Sequence, residues 1–199
     1  MKQERFLLAL AVLLATMGWG RAAEGQNPTA VQAMQLSAFG GATGVYTGLG
    51  GGKNFSITAG VDLALQPYHG VRPTIELRGT YPTDRGLIDH QKSLLGGLRV
   101  DFLLGHRIHP YADFLFGRGE MVYSPSFYLY NGFYYELTTT YVYSPGAGFD
   151  YDLGQRWGIK VDGQVQRWGS TPTPSGEIFS KVGTVGVVYR FNFSRRSRR

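Results

Sequence analysis

At 199 residues the chain is long enough for one domain with a sizeable core. Its complete lack of cysteine excludes a disulfide-stapled fold, a thiolate metal site and a lipid-modified N-terminal Cys. Of its 20 basic and 14 acidic residues, Lys2, Arg5, Arg21 and Glu4 lie at the start and Arg195, Arg196, Arg198 and Arg199 at the finish; between them 13 basic and 13 acidic residues cancel, so the net +6 belongs to the ends. A nucleic-acid binder concentrates its excess on a folded face, and that class is excluded.

Lys2 and Arg5 precede an apolar run from Phe6 to Met17, followed by the small residues Gly18, Gly20, Ala22 and Ala23. This pattern is a secretory signal peptide, cleaved after Ala22 or Ala23. The run falls short of the roughly 20 residues that a spanning helix needs. No second run approaches that length, so an inner-membrane helical protein is excluded. The expected organisation is a signal peptide (1–22), a flexible leader (23–30), a folded body (31–193) and a basic tail (194–199).

Within the body, alternation of apolar and polar residues marks strands. The first is expected over Val31 to Ala42, with Met34, Leu36 and Ala38 on one face. Thr43 to Gly52 is Gly-rich but lacks the Lys-Ser/Thr ending and the following helix of a phosphate-binding loop, and is read as an external loop. Lys53 to Gln66 sets Phe55, Ile57, Val61 and Leu63 against Ser56, Thr58, Gly60 and Asp62. A short turn at Pro67 to Gly70 leads into Arg72 to Tyr81, where Ile75 and Leu77 oppose Glu76 and Arg78; Pro82 to His90 is a polar loop. Gln91 to Leu104 sets Leu98, Val100 and Phe102 against Gly97, Arg99 and Asp101. After a turn at Gly105 to His109, the fifth strand starts at Pro110 with Ala112, Phe114 and Phe116 opposite Asp113. Pro is tolerated at a strand start.

The longest excursion runs from Gly117 to Thr140. Asn131-Gly132 between Tyr128, Tyr130, Phe133, Tyr134 and Tyr135 signals a type I′ hairpin. The flanking strands are therefore expected to rise as a two-stranded ribbon. The sixth strand, Tyr141 to Leu153, opposes Phe149 and Tyr151 to Asp150 and Asp152. After a turn at Gly154-Gln155, the seventh, Arg156 to Gly169, opposes Trp157, Ile159 and Val161 to Lys160 and Asp162. Ser170 to Glu177 is a loop, and Phe179 to Phe193 is the eighth strand.

No helical period occurs in this body. Eight strands with long and short connections in alternation predict an all-β, eight-stranded antiparallel up-and-down transmembrane β-barrel. Twenty-nine glycines, 13 tyrosines and 12 phenylalanines suit tight strand packing and aromatic belts. The slightly negative mean hydropathy of −0.16 fits too, because only alternate residues face lipid. The polar faces then put Asp62, Glu76, Arg78, Arg99, Asp101, Asp113, Asp150, Lys160, Asp162 and Arg190 into the lumen. Two readings follow. Charges of both signs would pair into a packed plug, as buried charges must, and a barrel this small has room only for side chains. Alternatively, Gly60, Gly97, Gly146, Gly148, Gly158 and Gly186 on the same faces would leave water pockets along a narrow path for ions or small solutes.

The last strand resembles the C-terminal signal of outer-membrane β-barrels. A polar residue is followed two positions later by Gly, with aromatics three and five residues further on: Thr184, Gly186, Tyr189 and Phe191. The basic tail after it departs from that pattern, in which the chain stops at the final aromatic. Together with His109 to Phe114 and Leu94 to Arg99, the chain resembles the small eight-stranded outer-membrane proteins that include the OmpA and OmpX type barrels. The resemblance implies residence in the bacterial outer membrane among its lipids and insertion by the barrel-assembly machinery through Thr184, Gly186, Tyr189 and Phe191. The function expected of such a chain is that of a non-enzymatic monomer without cofactor, serving envelope integrity or surface contact.

Some barrels of this size modify lipid A, a chemistry that needs a hydrolytic constellation. His90 with Ser93, oriented by Asp89, is the best available, but an odd separation points His90 and Ser93 to opposite faces. His106 and His109 near Asp101 lack a third metal ligand, and His69 falls in a turn. No catalytic, cofactor or metal residue is therefore expected. Tyr128, Tyr130, Phe133, Tyr134 and Tyr135 are the candidates for contact with an extracellular ligand or surface, with cross-strand pairing as the other explanation for these rings. The basic tail would face anionic lipid or cell-wall polymer, or simply solvent.

Overall fold

Successive side chains of a strand point to opposite sides of its sheet, and the period-two pattern of this chain sorts them into a lipid-like and a polar set. The computed structural model describes residues 34–84, 89–103, 107–123, 128–169 and 171–191. The expected signal peptide, leader and basic tail, with Asn192 and Phe193, lie outside the described residues. Ten strands form: β1 (Gln35–Tyr46), β2 (Lys53–Ala64), β3 (Val71–Pro82), β4 (Asp89–Phe102), β5 (Ile108–Tyr123), β6 (Tyr128–Tyr130), β7 (Phe133–Tyr135), β8 (Leu137–Asp152), β9 (Trp157–Gly169) and β10 (Glu177–Arg190).

Eight of them close into an antiparallel barrel in the order β1-β10-β9-β8-β5-β4-β3-β2, while β6 and β7 make a separate two-stranded sheet. The stagger is read from the ladder. Stepping from Gln35 through Ala64, Thr74, Arg99, Asp113, Gly146, Gln164 and Val182 returns to β1 at Val45, ten residues above the start. Closure with stagger requires tilted strands, and eight of them leave an interior that side chains can fill. The β8–β9 ladder skips Ser144 and Pro145, where Pro145 has no N–H to donate. The strand ends that flank the β2–β3, β4–β5 and β8–β9 connections lie with the start of β1 and the finish of β10 at one end, hereafter the turn end. The strand ends that flank the β1–β2, β3–β4, β5–β8 and β9–β10 connections lie at the other, the loop end.

The polarity is the reverse of a soluble domain. Leu98 is 65% exposed and Val185 59%, and Phe55, Ile57, Ile75, Leu77, Leu94 and Phe114 are likewise exposed on the outside, whereas Arg78 is 2% and Lys160 0% exposed within. A continuous apolar exterior over a closed hydrogen-bonded wall is what hydrocarbon solvates. Among the described residues no helix is long and apolar enough to cross a membrane; strands do the crossing. Aromatic groups mark both ends of the band. Tyr189 stands edge-on between Trp157 (4.8 Å) and Phe191 (5.1 Å) at the turn end, and Phe116 lies 5.7 Å from Tyr141 and 5.2 Å from Tyr143 towards the loops.

Most strand ends lie within two or three residues of the sequence reading, and two regions differ by more. The first strand runs from Gln35 to Tyr46, not Val31 to Ala42, because pairing with both β2 and β10 carries Thr43–Tyr46 into the wall. The excursion is mostly wall as well: β5 and β8 stay paired as far as Val122 and Leu137.

Candidate functional site

The lumen is built in layers, and each begins with an inward parity position. In the turn half, Arg78 on β3 bonds Glu76 two residues away and reaches across the barrel to Asp162 on β9, with Nη1–Oδ1 at 2.7 Å. Three strands lie between β3 and β9 either way round, so this contact spans the diameter. Lys160 on β9 returns the link to Glu76 at 3.2 Å and approaches Asp62 at 3.5 Å. Arg99 on β4 binds Asp150 at 2.5 Å, Asp101 with Nε at 2.6 Å, and Asp62 at 3.3 Å. The Tyr111 hydroxyl donates to Asp162 at 3.1 Å, Thr74 to Asp101 at 2.7 Å and Gln164 to Asp113 at 3.4 Å. Three cations thus hold five carboxylates, with Asp113 4.0 Å from Arg78 and neutral donors in support, which is how charge is tolerated away from water.

Two rings brace the cations. Lys160 Nζ stands 4.0 Å over Phe39, and the Arg99 guanidinium 3.7 Å over Tyr111. Each ring occupies the space above a glycine on the neighbouring strand, Gly60 opposite Phe39 and Gly148 opposite Tyr111. A Cβ on Gly60 would come within 2.5 Å of Phe39 Cζ, and one on Gly148 within 2.6 Å of the Tyr111 hydroxyl. The inner glycines at these positions therefore admit aromatic rings rather than the water pockets expected from sequence.

Next to the charges, Thr184, Thr43, Thr58 and Thr80 on four consecutive strands form a hydroxyl chain with spacings of 3.0, 2.6 and 2.9 Å. Under the loops the filling turns apolar. Leu49, Leu95, Leu115, Met121, Tyr123, Val142, Trp168 and Ile178 pack into a buried cluster, against which Tyr135 leans. The Gly-rich loop is part of this cap. Thr47 donates to the Gly52 carbonyl, its own carbonyl accepts from Ser180 at 2.8 Å and Gln91 at 3.3 Å, and Leu49 points into the cluster. At the turn end the ionic layer opens instead into a polar cavity of about 410 Å³ lined by Arg72, His109, Asp152 and Arg190 among others. There Arg190 pairs with Asp152 at 2.5 Å, and His109 Nε2 lies 3.0 Å from the same carboxylate.

No protein-family model matches the sequence, and no curated protein matches it. Solved structures do. Neisserial surface protein A is similar at 14% identity, covering 79% of this chain and 97% of its own, with a TM-score of 0.50. The outer membrane protein OprG of Pseudomonas aeruginosa matches at 12% identity over 80% and 97% with a TM-score of 0.46, and the attachment invasion locus protein Ail of Yersinia pestis at 12% over 79% and 97% with 0.45. The chain has the fold of the small eight-stranded outer-membrane barrels.

On that barrel the structure places the candidate residues as follows. Asp62, Glu76, Arg78, Arg99, Asp101, Asp113, Asp150, Lys160 and Asp162 are buried in the lumen, and Arg190 is half-buried at its turn-end mouth. Thr184 faces inward in the hydroxyl chain, Gly186 lies against the β1 backbone, and Tyr189 and Phe191 face outward in the turn-end aromatic cluster. The hairpin forms at Asn131 (φ 50°) and Gly132 (φ 81°), with Tyr128 opposite Tyr135 and Tyr130 opposite Phe133. Phe133 and Tyr134 are exposed, Tyr130 and Tyr135 are half-buried, and the Tyr128 side chain lies outside the described residues. His90 and Ser93 stand on opposite faces of β4; the Asp89 side chain and His106 lie outside the described residues. Among the described residues no group of three metal-ligating side chains occurs.

Sequence reasoning missed the rings Phe39 and Tyr111, the rim carboxylate Asp152 with His109, and the whole apolar cap. The signal for the cap was parity: Leu95 shares a face with Arg99, Leu115 with Asp113, and Trp168 with Gln164. The sequence reading assigns none of these three positions to a face.

Proposed function

We propose that this chain is a non-enzymatic monomer of the bacterial outer membrane that serves envelope integrity or surface contact, with a plugged lumen. The observation that carries the reading is the bonding of Arg78 to Asp162 and of Lys160 to Glu76 across the barrel diameter. Side chains that meet in the middle leave no continuous aqueous path, and the apolar cap stacks a second barrier above them. Planar-bilayer recordings of the folded protein are the test. Silence is expected, and steady unitary openings would replace this reading with a narrow channel.

Barrel insertion is assigned to Thr184, Gly186, Tyr189 and Phe191, with the loop end outward, as the long excursion supports. Phe191→Ala is expected to slow insertion into vesicles by the assembly machinery while leaving the lumen bonds in place. The surface-contact half of the proposal rests on the ribbon, where Leu129, Phe133 and Tyr134 expose apolar area on a rigid type I′ hairpin. Replacing His90 or Ser93 is expected to leave lipid A unaltered.

A further inference from the structure

The outward-facing charges of the barrel are confined to one rim. Among the described strand residues they are Lys53, Lys92, Arg118, Glu120, Arg167, Glu177 and Lys181, every one at the loop end. The matching outward positions of the turn half are Leu36, Val61, Ile75, Val100, Phe149, Ile159, Val187 and their like, without a charge. Five cations face two carboxylates. Glu120 is taken by Lys92 at 2.6 Å and Glu177 by Arg167, and Arg118 lies over the Tyr141 ring at 5.2 Å.

Lys53 and Lys181 have no carboxylate partner among the described residues, and the ladder puts them on one rung. Tyr46 of β1 is opposite Lys53 of β2 on one side and Lys181 of β10 on the other. Strands lie about 4.8 Å apart, so the two lysines leave the wall roughly 10 Å from one another with a phenol between them. Tyr46 is 41% exposed. Beneath them, towards the turn end, Phe55 and then Ile57 and Val185 present the apolar band, while Phe179 lies on the loop side of Lys181. An ammonium, a hydroxyl donor and a second ammonium above an apolar wall form a receptor for an anionic group joined to an acyl chain.

Resting on the membrane reading above, we propose that Lys53, Tyr46 and Lys181 bind the phosphate of a lipid headgroup in the leaflet at the loop end. Lateral exposure at the margin of the apolar band, rather than a pocket, selects a lipid over a free ion. The two lysines hold a doubly charged phosphomonoester better than a singly charged phosphodiester.

The test uses the full folded chain in phosphatidylcholine nanodiscs doped with dansyl-labelled phosphatidic acid, read by energy transfer from the native tryptophans. Phosphatidic acid is expected to gather at the protein over labelled phosphatidylcholine, and over labelled phosphatidylglycerol by a smaller margin. Each basic side chain near an anionic surface is worth about fivefold, so K53Q/K181Q is expected to lose roughly 25-fold while K92Q, whose lysine is already paired, changes little. Equal preference in K53Q/K181Q and the parent, or an equal loss in K92Q, would overturn the site in favour of diffuse attraction. Displacement of the lipid by millimolar inorganic phosphate would overturn the lipid as its ligand. A protein that folds in the discs but gathers no phosphatidic acid refutes the site alone, whereas one that fails to fold there refutes the membrane reading beneath it.

Discussion

The two halves of the lumen fill the same kind of space with opposite chemistry. In the turn half, Arg78, Arg99 and Lys160 are each bonded to two or more carboxylates, and Phe39 and Tyr111 cover them. In the loop half, eight apolar side chains from five strands and the 47–52 loop interlock. The first arrangement depends on partners: each charge is tolerable only while its counter-charges stay within reach. The second depends on volume, since an apolar cluster loses stability in proportion to the space that it fails to fill. A membrane barrel can place either filling inside because its exterior, facing hydrocarbon, already supplies the apolar surface.

The largest expected effect breaks the ionic half. Arg99→Met leaves Asp62, Asp101 and Asp150 around an apolar side chain, and is expected to cost about 4 kcal/mol in urea unfolding from lipid vesicles. Arg99→Met combined with neutral amides at all three carboxylates should recover most of that loss. If the single variant is as stable as the parent, the ionic layer is not what holds the turn half.

Trp168→Ala removes the largest member of the cap and is expected to cost about 3 kcal/mol by the same measurement. Planar-bilayer recordings should nevertheless stay silent, because the charges below still meet across the lumen. Conductance in Trp168→Ala would show that the cap alone seals the barrel. Gly60→Ala tests the seam between ring and wall. Its methyl group meets Phe39, displaces the ring from Lys160, and should destabilise by about 2 kcal/mol. The smallest effect lies outside both halves. Gly132→Ala at φ 81° should cost about 1 kcal/mol of local ribbon order, seen as faster amide exchange in β6 and β7, with the barrel's unfolding midpoint unchanged.

Much of this was legible in the chain because strand parity is local. The alternation around Leu98-Arg99-Val100-Asp101 or Ile159-Lys160-Val161-Asp162 is enough to sort lipid-facing from inward positions, and Asn131-Gly132 specifies its own turn. The start of β1 was not legible: Phe39, Gly40 and Gly41 obscure the period, and only pairing with β10 decides that the strand runs on to Tyr46. The loop at 47–52 reads as exposed glycine, yet Leu49 anchors it in the cap. Hydrophobic content in a loop does not say which neighbour it will meet.

Sequence by itself determined the eight-strand wall, its inside-out polarity and the identity of the lumen charges, since each follows from spacing along a single strand. The tertiary structure alone decided that Arg78 meets Asp162, that Phe39 and Tyr111 fill the room above Gly60 and Gly148, and that Lys53 and Lys181 flank Tyr46. Those pairings join residues far apart in the chain, and they are set by the ten-residue stagger with which the barrel closes. Stagger is a property of the closed ring, and no strand carries it alone.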